Sequence, residues 1–262
     1  VGGLTVAREI MRQLPDERIV YFGDTARVPY GSKSRDTVLR YSRQIIRFLR
    51  TREVKAIVIA CNTATALALD TVAAESDIPI IGVIHAGAKT AVESTRNGRI
   101  GVIGTEATIG SGIYTEVMKK MKPGIQVFGK SCPLFVPLVE EGWLHDPVTD
   151  EIASRYLSVL KEKYIDTLVM GCTHYPLLRD AIAEYMGESV KLISSGAEAA
   201  KYTMNMLAMN NMLSSRSENG HVTYFTSDSK MLFESNAHAF IGSLNGSVEQ
   251  ISIDDVIMQK DC

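Results

Sequence analysis

The chain alternates short, continuous apolar runs with longer segments in which apolar positions recur every three or four residues. Short continuous runs mark strands buried on both faces, and the 3.6-residue recurrence marks helices with one buried stripe. Strands are predicted at 18–22, 55–60, 79–84, 99–103, 124–128, 166–171, 190–193 and 221–225. Helices are predicted at 3–13, 34–51, 64–75, 86–96, 109–121, 148–163, 176–186 and 196–209. In helix 34–51, Val38, Leu39, Ile45, Ile46, Phe48 and Leu49 form the buried stripe, and the arginines form a solvated face. Alternation of the two element types predicts an α/β fold with mainly parallel sheets covered by helices on both faces.

The pattern also repeats. Arg18–Gly23 resembles Gly124–Gly129, the segment ending at Cys61 resembles the one ending at Cys172, and Ile80–Ala88 resembles Val190–Ala197. Offsets of 106, 111 and 109 residues separate the members of these pairs. Three matches in one order indicate a duplicated unit. Two pseudo-symmetric domains are therefore expected, one of residues 1–95 closed by 210–262 and one of residues 96–209. The strand at 221–225 should return to the first. The helix near Thr108 is preceded by a strand and a polar loop, whereas its counterpart starts near Gly3. A strand and loop are therefore expected before Val1.

In a parallel sheet the strand carboxyl ends and the following helix N-termini share an edge, where ligands bind. Cys61 and Cys172 both lie on that edge, at matching places in the two units. Facing domains would put one thiol on each wall of a cleft, with Asn62, Thr63, Thr65, Thr105, Thr108 and Thr173 beside them. Hydroxyls, amides and helix N-termini suit a small carboxylate ligand. Two opposed bases can take a proton from one face of a carbon acid and return one to the other, inverting it. Thiols suit this because their pKa near ~8.5 lies close to neutrality, and a helix N-terminus should lower it further. His174, two residues beyond Cys172, is the candidate proton partner there. Thr63 holds the matching position and cannot serve, so a carboxylate from the expected upstream loop is the candidate partner of Cys61.

Composition narrows the class. The net charge of -2 leaves no basic excess for a nucleic acid or an anionic membrane surface. The apolar runs fall well short of the ~20 residues a membrane-spanning helix needs. Four cysteines without a CxxC pair suggest neither a disulfide framework nor a zinc site, so no metal is expected. Cys132 and Cys262 read as bystanders, and His85, His145, His221 and His238 as structural. Met204, Met206, Met209 and Met212 read as core or interface packing rather than a metal box; burial within one chain and a homodimer interface both fit. Asp24 fits a turn cap and a site residue equally well.

Taken together, several motifs resemble the cofactor-independent glutamate racemases of the aspartate/glutamate racemase superfamily. They are Val1–Val6, Gly23–Gly31, Ala60-Cys61-Asn62-Thr63-Ala64-Thr65, Gly104–Thr108, Cys132–Glu140 and Gly171-Cys172-Thr173-His174-Tyr175-Pro176-Leu177-Leu178. The resemblance covers almost the whole chain. It implies an active site in an interdomain cleft, with Cys61 and Cys172 as the acid/base pair and His174 and Glu140 assisting. It implies substrate binding by Tyr30, Gly31, Asn62, Thr63, Thr105, Thr108, Thr173 and His174. It also implies glutamate as substrate, no cofactor, and supply of D-glutamate to peptidoglycan synthesis in a bacterial cytoplasm. His174 matches the glutamate enzymes, whereas aspartate racemases tend to carry Glu there. The family's Asp-Ser-Gly before Val-Gly-Gly is not in this sequence. Rival readings are a sister racemase or decarboxylase, a cysteine hydrolase forming a covalent intermediate, and a two-domain module that binds a small carboxylate.

Overall fold

Thr167–Gly171 (β6) is buried at every position, as a continuous apolar run in a central parallel strand requires. The computed structural model describes residues 2–215 and 220–258. β6 lies in a sheet with β4 (Arg99–Gly104), β5 (Gln126–Ser131) and β7 (Lys191–Ser194), in the order β5-β4-β6-β7, all parallel. Its side chains alternate between two cores. Leu168 and Met170 join Phe135, Leu157, Tyr175 and Ile182 on one face, while Val169 joins Ile84, Ile100, Tyr114 and Met118 on the other.

The first half contains α1 (Gly3–Gln13), β1 (Ile19–Gly23), α2 (Arg35–Arg50), β2 (Ile57–Ile59), α3 (Asn62–Ala74), β3 (Ile80–Gly82) and α4 (Val83–Ser94). Ser34 caps α2 by accepting from the Thr37 N–H. This half holds two sheets. β2 pairs only with β3, and β1 pairs with β8 (Val222–Thr226), which in turn pairs with β9 (Gly246–Gln250). The second half places β4 between the counterparts of β1 and β2. Among the described residues, no strand of the first half fills that place.

The remaining helices are α5 (Glu106–Gly110), α6 (Ile113–Met121), α7 (Phe135–Glu140), α8 (Pro147–Lys161), α9 (Arg179–Met186), α10 (Ser195–Met209), α11 (Lys230–Ile241) and α12 (Ile253–Met258). The single helix expected at 109–121 is broken into α5 and α6. Gly112 lies between them at φ 69, a left-handed conformation that glycine adopts without steric cost. The stretch expected to be strand through residue 84 turns helical at Val83. Elements α7, α11, α12 and β9 have no counterpart in the predicted pattern. The methionines do not form a core: Met209 is 85% exposed, Met204, Met206 and Met212 are partly exposed, and α10 buries Ala199, Ala200, Thr203 and Leu207 instead. Among the described residues, no helix is long and apolar enough to cross a membrane.

Candidate active site

Cys61 follows β2 and forms the N-cap of α3; Cys172 follows β6. Both sit at carboxyl ends of parallel strands. Cys61 is partly exposed and Cys172 is buried. Burial is the largest influence on each thiol and pushes its pKa up. At Cys61 the N–H groups of Ala64 and Thr63, then the Thr63 hydroxyl, pull the other way. At Cys172 the N–H groups of His174, Thr173 and Tyr175 do so, yet the thiol is still pushed up to about 12. The expected lowering at a helix N-terminus is therefore present but outweighed by the cost of burying a thiolate.

His174 stands between two partners. Its Nδ1 lies 3.7 Å from Cys172 Sγ, and its Nε2 lies 3.3 Å from Glu140 Oε1. The hydrogen bond with His174 holds the Glu140 carboxyl below its ordinary range, against the opposing effect of burial. Of the adjacent Glu140 and Glu141, it is Glu140 that faces His174. Phe240 of α11 meets the imidazole edge-on at 5.6 Å. This line of groups can pass a proton between thiol and imidazole while the carboxylate orients the ring. Tyr175 anchors the loop: its ring packs edge-on against Phe135 at 5.2 Å, and its hydroxyl donates to the Cys132 carbonyl.

Hydroxyl groups join the two halves around the thiols. Thr63 Oγ1 lies 2.9 Å from Thr105 Oγ1 and 3.3 Å from Thr108 Oγ1, and Thr105 also donates to Thr108 at 3.0 Å. Thr105 additionally caps α5 through the Thr108 N–H. Asn62 is fixed from the opposite half, donating to Ser195 Oγ at 3.1 Å and accepting from the Tyr114 hydroxyl at 2.7 Å. The Thr173 carbonyl accepts from Thr5 of α1 at 3.0 Å. Tyr30 donates to Asp24, and Gly31 lies against Thr105. Asp24 begins a short 3-10 turn but makes no capping bond; its carboxylate binds Arg27, Tyr30 and Ser227 instead.

Thr5, Tyr114, Ser195 and Phe240 were not singled out in the sequence. Each acts through a partner distant in the chain, so no local pattern marks it. Cys132 is buried in the core beside Cys172, and burial pushes its thiol up to about 12. Val1 and Cys262 lie outside the described residues. Among the described residues, no group of three His, Cys, Asp or Glu is arranged to hold a metal ion.

Parallel α/β sheets with a thiol at matching strand ends fit an enzyme that moves protons between two opposed acid/base groups. The chain belongs to the Asp/Glu/Hydantoin racemase family, whose model matches residues 3–203. It is 49% identical to the glutamate racemase of Geobacter metallireducens over 254 residues, covering 97% of this chain and 94% of that one. Its fold matches glutamate racemase isoform RacE1 from Bacillus anthracis with a TM-score of 0.93 and 39% identity, covering 97% and 94% of the two chains. The glutamate racemase of Francisella tularensis, solved in complex with D-glutamate, matches with a TM-score of 0.90 and 38% identity, covering 97% and 95%.

Proposed function

We propose that the protein interconverts L- and D-glutamate by proton transfer between Cα and two cysteines. The observation that carries this reading is the place of Cys61 and Cys172 at equivalent strand ends, beside threonine hydroxyls that bond across the two halves. In the L to D direction the Cys172 thiolate takes the Cα proton. An S–H bond forms as the C–H bond breaks, and the electron pair delocalises into the α-carboxylate. The Cys61 thiol then gives its proton to the opposite face and becomes the thiolate. The reverse reaction begins from that state. His174, oriented by Glu140, exchanges the proton of Cys172. Asn62, Thr63, Thr105, Thr108, Thr173, Tyr30 and Gly31 bind the substrate's carboxylates and ammonium. The chemistry uses no cofactor.

The two domains are residues 1–95 with 210–262, and residues 96–209. Pairing of β8 with β1 and the self-contained sheet β4–β7 support this division. The reading as a glutamate enzyme is supported by full-length similarity to bacterial glutamate racemases. The D-glutamate made would supply peptidoglycan synthesis in the bacterial cytoplasm.

Racemisation in deuterated water tests the mechanism. Each enantiomer should acquire one solvent deuterium at Cα as it becomes the other, read by mass spectrometry. Conversion with full retention of the original hydrogen would exclude it. Cys61→Ala and Cys172→Ala should each lower racemisation by a factor of ~10²–10⁴ or more.

A further inference from the structure

Asp24 directly follows β1 and is the hub of a buried polar cluster. Its two carboxylate oxygens accept from Arg27 Nε at 2.8 and 2.9 Å. It also accepts from the Tyr30 hydroxyl, and from Ser227 Oγ at 3.2 Å. The Asp24 side chain is 7% exposed and that of Arg27 10%. Arg27 reaches on to Gln44 of α2, and its guanidinium lies 4.1 Å from the centre of the Tyr41 ring. Ser227, just beyond β8, accepts from the Ala26 N–H, and Thr226 bonds Thr25. The segment from Asp24 to Gly31 is thus tied to three elements: β1, α2 and β8.

The far end of that segment lies beside Cys61 and Thr105. Tyr30 packs in the same apolar cluster as Cys61. A Cβ placed on Gly31 would come within 3.0 Å of Thr105 Cβ, so the turn rests directly on the opposite half. Burying an ion pair adds little net stability, because desolvation offsets the Coulomb attraction. What such a pair does supply is fixed geometry.

We propose that Asp24 is a positioning residue: by holding the Tyr30 hydroxyl it sets the Tyr30–Gly31 turn as the substrate's side wall between Cys61 and Thr105. This rests on the reading of the site as a glutamate racemase centre. The role is in binding, since Asp24 touches neither thiol. Loss of the wall should weaken ground state and transition state alike, raising KM and sparing kcat.

The test compares Asp24→Ala, Asp24→Asn, Tyr30→Phe and the double variant Asp24→Ala/Tyr30→Phe with wild type on the full chain. Circular dichroism follows both enantiomers, and melting temperatures are recorded in parallel. Asp24→Ala should raise KM about tenfold for L- and D-glutamate, with kcat within about threefold. Asp24→Asn keeps an oxygen for Tyr30 and should recover part of the loss. Tyr30→Phe leaves the ion pair intact, so it reports on the hydroxyl even where Asp24→Ala does not fold. The double variant should be no worse than the worse single one, because both remove the same contact. Unchanged KM with a lowered melting temperature would overturn the proposal, as would losses that multiply to about a hundredfold in the double variant. A wild type that turns over aspartate rather than glutamate refutes the substrate assignment alone; the same KM comparison, made with aspartate, then decides the role of Asp24. A wild type that racemises neither overturns both.

Discussion

At Cys172 two effects of similar origin compete, and burial wins. Three backbone N–H groups favour the thiolate, yet removal from water leaves the thiol at about 12, against ~8.5 for a free thiol. Cys61 is shifted in the same direction. A raised thiol pKa means that the reactive thiolate is scarce at neutral pH and accumulates as pH rises. Because kcat/KM reports the free enzyme, it should climb about tenfold per pH unit from pH 7 toward ~8.5. The two enantiomers have equal free energy, so the climb must be the same in both directions. Initial rates at subsaturating L- and D-glutamate measure it, and a plateau already reached by pH 7 would contradict the burial effect. The cysteines and His174 are legible in the sequence because strand ends and adjacent positions are local features. The energetic balance at the thiols is not, since it depends on what covers them. Asp24 is half legible: its place before Arg27 and Tyr30 is visible, but Ser227 lies 203 residues away.

Among the elements, strands were the most readable. Every predicted strand forms, and the clearest are β4 and β6, which are buried almost throughout, because a parallel strand covered on both faces leaves no polar positions to blur it. β9 escaped because it is an outer strand in which only Val248 is buried. α11 does carry a helical stripe, Phe233, Ala237 and Phe240, but exposed Met231 and Leu232 obscure it. α7 is six residues long and contains Pro137, which reads as a breaker. The crossing from α4 to β4 shows how a single side chain can fix a connection. The Asp166 carboxylate accepts from the Thr95 hydroxyl at 2.6 Å, the Arg96 and Asn97 N–H groups at 2.7 and 2.8 Å, and the Thr167 hydroxyl at 3.0 Å. Burial alone would raise its pKa, but these donors outweigh it and hold the carboxyl below its ordinary range. The unfolded chain then binds the proton at higher pH than the folded one. The stabilisation is complete above the unfolded value of ~3.9 and is lost as pH falls from there through the lower folded value. Asp166→Ala should lower the melting temperature by roughly 2–4 °C at pH 7, with the gap to wild type narrowing below about pH 4. Calorimetry across that range is the check, and a gap independent of pH would assign the loss to packing instead.

On the scale of the whole molecule, the C-terminal segment connects sites that the linear order separates. β8 and β9 extend the sheet begun by β1, and α11 packs on α1 and β9. The same helix spans two cores: Phe233 and Ala237 belong to the core of that sheet, while Phe240 enters the core of the second half and meets His174. The imidazole is therefore positioned by a helix docked on the other half, and a change in α11 should reach the proton relay proposed at Cys172. Rates alone cannot show this one-sidedly, since an equilibrium constant of one forces kcat/KM to change equally in both directions. Isotope effects can. Phe240→Leu should destabilise by about 1 kcal/mol and loosen His174, making C–H cleavage by Cys172 more rate-limiting. The primary isotope effect with α-deuterated L-glutamate should then rise, while that with α-deuterated D-glutamate, which the proposed mechanism gives to Cys61, should not. Phe233→Leu, in the same helix but away from His174, should cost comparable stability and leave both isotope effects unchanged. Equal changes in both variants would mean that α11 acts on the site only through overall stability. A rise confined to Phe240→Leu and to the L enantiomer would tie the C-terminal helix to one of the two proton transfers.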